Sequence, residues 1–106
     1  MTVGQAPQPD CVTVAGSFNS ELGCPADWDP ACPTASLTLD PADNVWRLTA
    51  ENLPPGQYEY KVALNGTWGV NYGADGALNG NNIVLDHPGG PATFRYDHRT
   101  RMITAG

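Results

Sequence analysis

The stretch QYEYKVALNGTWGVNYG, residues 57–73, decides the fold. Its first half alternates: Tyr58, Tyr60, Val62 and Leu64 fall on one side of an extended chain, Glu59 and Lys61 on the other. A period of two marks a strand with one face on a core and one toward solvent. Asn65-Gly66 follows, two residues that accept positive φ and suit a two-residue hairpin turn. TWGV is then the expected return arm, and residues 71–82, rich in glycine and asparagine, read as a loop.

The same period recurs on both sides of this stretch. CVTVAG (11–16) is the first expected strand, and SLTLD (36–40) places Leu37 and Leu39 together. After the turn PADN, VWRLTAE (45–51) sets Trp46 and Leu48 opposite Arg47 and Thr49, and LPPG ends it. NIVLD (82–86), ATFRYD (92–97) and RMIT (101–104) complete the series. No segment spaces apolar residues three and four apart for ten residues, so no helix is expected. The fold class is all-β: seven or eight short strands in an immunoglobulin-like antiparallel β-sandwich. Trp46, Tyr58, Tyr60, Phe94 and Tyr96 are its expected aromatic core.

Composition agrees with one folded domain. The chain has 106 residues, 41% of them hydrophobic and only 15% charged, with 12 glycines and 10 prolines to punctuate short strands. Residues 11–106 form the expected module, and residues 1–10 read as a linker or a start added for expression. MTVGQAPQPD lacks the basic-then-apolar pattern of a secretory leader, and no apolar run approaches the ~20 residues that cross a bilayer. A net charge of −6 repels duplex DNA and anionic lipid, so neither nucleic acid nor membrane is an expected partner.

Cys24 and Cys32 bracket CPADWDPAC, a closure short enough for a disulfide and an argument for an oxidising, extracellular setting. Cys11 is left over, either a buried thiol or a link to a second molecule. The two histidines, His87 and His98, have no C-x-x-C beside them, so no zinc site is expected.

VTVAGSFNSELGCPADWDPAC, NVWRLTAENLPPGQYEYKVALNGTWGVNYG and FRYDHRT, in that order and spacing, resemble the β-sandwich accessory module of bacterial pullulanases and amylopullulanases. The similarity spans roughly residues 12–104 and departs from the family pattern at Cys11 and at Gly69-Val70. It implies a non-catalytic, secreted module related to starch-binding domains, carried beside a catalytic domain, with starch or an α-glucan oligosaccharide as its ligand. The alternatives are a spacer that touches no sugar and a protein-interaction domain that uses Cys11.

A sugar ring packs its C–H face on an aromatic ring and needs amide, carboxylate or lysine partners for its hydroxyls. On that chemistry the expected carbohydrate-binding residues are Trp68, Tyr72, Lys61, Asn71 and Trp28, with Asn65 near them in sequence. The competing role of Tyr72 is to fix a loop through its hydroxyl, and that of Trp28 is to tuck under the disulfide loop. No catalytic residue is expected. Asp27/Asp29 and Asp40/Asp43 are the close carboxylate pairs, but turns favour aspartate for its local hydrogen bonds. No cofactor is expected. Calcium is the single candidate, on Asp27, Asp29, Asp75, Asn79 and Asn81, without an EF-hand pattern.

Overall fold

In the computed structural model, residues 8–106 are described, so the expected linker lies mostly outside the described residues. Eight strands form in chain order: β1 (Val12–Gly16), β2 (Thr38–Asp40), β3 (Val45–Leu53), β4 (Gly56–Leu64), β5 (Asn71–Tyr72), β6 (Ile83–His87), β7 (Gly90–Asp97) and β8 (Met102–Ala105). All pairings are antiparallel. One sheet is built around β4, with β1 on one edge and β5 and β6 end to end on the other; the second has the order β2-β3-β7-β8. This is the expected all-β, immunoglobulin-like sandwich.

The alternation of β4 becomes a division of labour. Tyr60, Val62 and Leu64 are buried between the sheets, while Gln57 and Glu59 are exposed. The facing sheet contributes Trp46, Ala50, Leu53, Ala92, Phe94, Tyr96 and Ile103 to the same cluster. Phe18, from the loop after β1, sits in the middle, with its ring centre 5.1 Å from Phe94 and 5.8 Å from Tyr60. Tyr58 only lies against this cluster and stays half-buried, its hydroxyl donating to the Pro54 carbonyl at 2.7 Å. Of the five aromatic residues expected in the core, it is the one that closes a turn instead.

Residues 17–35 run along the side of the sandwich through two 3-10 turns, Asn19–Leu22 and Pro33–Ala35. Cys24 and Cys32 form the expected disulfide, with a Cα–Cα distance of 5.8 Å. Asn19, fully buried, ties this segment to β1: its Nδ2 donates to Val14 O, and its Oδ1 accepts from Gly16 N and Asp29 N. Glycine is required at Gly16, because a Cβ there would lie 2.6 Å from that of Tyr60 across the ladder.

The hairpin after β4 departs from the expected one. Val62 pairs with Tyr72, Ala63 with Asn71, and Leu64 N donates to Val70 O. Residues 65–69 are therefore one wider loop, and TWGV forms no return arm. Asn65 and Gly66 do take positive φ, 60° and 73°. The Asn65 amide and side chain face back toward the segment that leads into β1, accepting Asp10 N at Oδ1 and donating from N to Cys11 O.

Candidate carbohydrate-binding surface

The outward face of the β4 sheet is not uniform. Strand alternation alone would make every residue opposite the core polar and exposed. At one end Gln57 and Glu59 behave so, but at the other Ala15 and Ala63 are fully buried and Thr13 is 2% exposed. Lys61 lies among them, paired with Ala15 across the ladder and half-buried. Its (CH₂)₄ stem can lie along apolar surface while the ammonium reaches water.

Two tryptophans belong to the loops that border this floor. The Trp28 amide donates to Gly16 O at 2.9 Å, and its φ of 57° bends the loop back onto the end of β1. Trp28 is half-buried, its backbone fastened to β1. Trp68 stands in the 65–69 loop above Ala63 and Asn71 in sequence, and is 38% exposed. Among the expected binding residues, these two rings and Lys61 keep access to solvent. Lys61 and Ala63 are two residues apart on β4, about 7 Å, so the loop carrying Trp68 starts close to the lysine.

Asn71 and Tyr72, the other two expected binding residues, are both buried. Adjacent residues of a strand point to opposite faces, and the pairing of Tyr72 with Val62 turns its ring inward. Tyr72 is 6% exposed, and the Arg101 guanidinium lies over its ring at 5.1 Å while Nη1 donates to its hydroxyl at 2.6 Å. The guanidinium covers the ring and ties its hydroxyl, a geometry that fits the loop-fixing role. Asn71 is also 6% exposed. Its Nδ2 donates to the Trp68 carbonyl and to Asn79 Oδ1, both at 3.0 Å, and its Oδ1 is buried without a partner among the described residues. Through the first of these bonds Asn71 holds the Trp68 loop.

Two exposed residues were not foreseen at this surface. Asn79 N donates to Asn71 O, and Leu78 bridges to Tyr72, so the glycine-rich loop folds back as a strand-like flank of β5. That places Asn79 beside Asn71 and leaves Leu78 59% exposed. The usable signal was Gly73, where a Cβ would run into the Asn81 carbonyl.

The other oxygen-rich groups are occupied by turns. Asp27 Oδ1 accepts from Ser20 N, and Asp29 Oδ1 from Ala31 N. Among the described residues no three of histidine, cysteine, aspartate and glutamate gather in a way that would hold a metal ion, and Asp75 and Asn81 are exposed loop residues. Asp40 and Asp43 both meet Arg47, at 3.2 and 2.6 Å. The Arg47 hydrogen bond, helped by the Val45 amide, holds the Asp43 carboxyl below the usual carboxylate range. A glycosidic general acid needs the opposite shift. His98 accepts or donates with the Tyr96 hydroxyl at 2.8 Å and is a structural residue.

The architecture is a two-sheet sandwich with two partly open indoles in its loops, the build of an accessory module. Comparison with known proteins agrees with that class. The pullulanase X25 domain family matches residues 11–103, and the chain belongs to it. It is 43% identical to an amylopullulanase of Thermoanaerobacterium saccharolyticum over 91 residues, which is 85% of this chain and 7% of that protein. An amylopullulanase of Thermoanaerobacter thermohydrosulfuricus is 37% identical over 98 residues, 92% of this chain and again 7% of the relative. The solved pullulanase from Bacillus acidopullulyticus superposes with a TM-score of 0.78 at 30% identity, over 92% of this chain and 11% of that one. The chain thus spans a small fraction of each relative.

Proposed function

We propose that this chain is the non-catalytic accessory module of a secreted, extracellular α-glucan-degrading enzyme of pullulanase or amylase type, and that it binds starch or an α-glucan oligosaccharide weakly. The observation that carries the reading is Trp68, 38% exposed in the loop that follows β4, the strand whose outward side carries the half-buried Lys61. Trp68 stacks on the apolar side of a glucose unit, Lys61 donates to a hydroxyl, and Trp28 borders the other end. A ring already ordered by its loop loses little entropy on binding. The small contact area and the partial exposure of the stacking ring keep affinity low. The parent is a glycoside hydrolase, whose catalytic domain is a neighbour of the module in the longer chain.

Soluble starch in a native affinity gel is expected to retard the protein, and Trp68→Ala to remove the retardation. Equal migration with and without polysaccharide would leave the spacer reading in place of the binding one.

A further inference from the structure

Away from the tryptophan surface, the two sheets treat their edges differently. In the first sheet, one edge of β4 is filled by β5 opposite residues 62–63 and by β6 opposite residues 56–60. In the second, β3 receives β2 only opposite residues 45–47. From Leu48 onward that edge of β3 has no strand beside it among the described residues, although its other edge is paired with β7 through Ala50 and again at Leu53. Alternate residues there aim N–H and C=O groups outward, a template for another chain.

A cleft of about 270 Å³ lies along this edge, lined by residues 48–52 of β3 and, across from them, by Glu21, Leu22 and Thr34. Leu22 and Leu48 lie against the core cluster but are only partly covered. The rim is acidic: Glu21 and Glu51 are both exposed, and no basic residue lines the cleft. The nearest basic residue on the strand, Arg47, is already held by Asp40 and Asp43. A register shift between Ala50 and Leu53 ends the regular ladder, so the free stretch is about as long as β2.

We infer that this open edge of β3 receives an extended, basic segment of the longer polypeptide, added as a short strand in line with β2. Strand addition supplies main-chain hydrogen bonds, and alternate side chains supply selectivity. Here an apolar side chain meets Leu22 and Leu48, and lysine or arginine meets Glu21 and Glu51. The segment's source is argued from the relatives, in which the matching stretch is 7% of a much longer chain. Docking within one chain works at millimolar effective concentration, so a short, weak site suffices.

The test is a ¹⁵N NMR titration of the chain with millimolar capped heptapeptide alternating lysine with valine and threonine, beside a glutamate counterpart. The lysine peptide should shift the amides of residues 48–52 and slow their hydrogen exchange severalfold. The glutamate peptide should not, and the exposed double substitution Glu21→Lys/Glu51→Lys should abolish the response while the β7 amides keep their positions. No response at residues 48–52, or an equal one to both peptides, overturns the proposal. Concentration-dependent shifts there without peptide would assign the edge to a second copy, and shifts there on adding soluble starch would make it a sugar site; both overturn it. Starch binding at Trp68 is read independently in the same spectra.

Discussion

Arg101 lays its guanidinium 5.1 Å from the centre of the Tyr72 ring and donates from Nη1 to the Tyr72 hydroxyl at 2.6 Å. The same side chain donates from Nε to His98 O, and Arg101 itself holds a φ of 64°. One residue of the β7–β8 turn thereby locks β5 of the opposite sheet. That lock takes the Tyr72 ring out of ligand chemistry and braces the strand from which the Trp68 loop springs.

Arg101→Ala should therefore destabilise the fold. Losing a charge-assisted hydrogen bond and a cation–π contact at a part-buried site costs about 2 kcal/mol. Urea unfolding followed by fluorescence would register it as a lower midpoint; an unchanged midpoint would mean that the contact is ornamental.

Asn71→Ala separates support from contact. Asn71 is buried, yet its Nδ2 holds the Trp68 carbonyl. The variant should weaken starch retardation severalfold and cost stability by about 1 kcal/mol, although position 71 is buried. Wild-type retardation would show that the Trp68 loop keeps its shape unaided.

His98 predicts a loss of stability in mild acid. Burial lowers its pKa, the Arg101 charge lowers it further, and Asp97 opposes them only in part. With the folded pKa below the unfolded value of about 6.5, the folded state resists protonation. Its contribution is complete above pH 6.5 and is lost as pH falls through the folded pKa. The thermal midpoint should drop over that window, and the drop should be smaller in His98→Gln.

Tyrosine ionisation offers an alkaline counterpart. Burial pushes the Tyr60 hydroxyl up to about 12 and raises that of Tyr96 further. Spectrophotometric titration should show both ionising well above the usual value of about 10, near the pH at which the fold is lost. Early titration of all four tyrosines would contradict the burial.

Phe18→Ala removes a ring that packs on both Tyr60 and Phe94 and belongs to the largest fully buried side chains. A loss of about 3–5 kcal/mol is expected, read from urea denaturation. Cys24→Ser with Cys32→Ser should cost roughly 2–3 kcal/mol, as for a short closed loop. Unreduced peptide mapping should show the Cys24–Cys32 link with Cys11 free.

Most of the architecture was legible in order along the chain. The alternation of β1, β3, β4, β6, β7 and β8, the turns at PADN and LPPG, and the Cys24–Cys32 closure depend on neighbours in sequence. Local chemistry determined them. Trp68 and Lys61 were legible as candidates for the same reason: a ring and an ammonium close to a glycine turn.

What tertiary structure alone decided was which way the residues after the turn face. Asn71 and Tyr72 must point to opposite sides of the sheet, but only their register against Ala63 and Val62 says which side is the core. A five-residue loop in place of a two-residue turn set that register, buried Tyr72 under Arg101, and left Trp68 at the rim. Strand identity is written in a period of two, whereas exposure is settled by the partner strand and by the distant turn that packs across it.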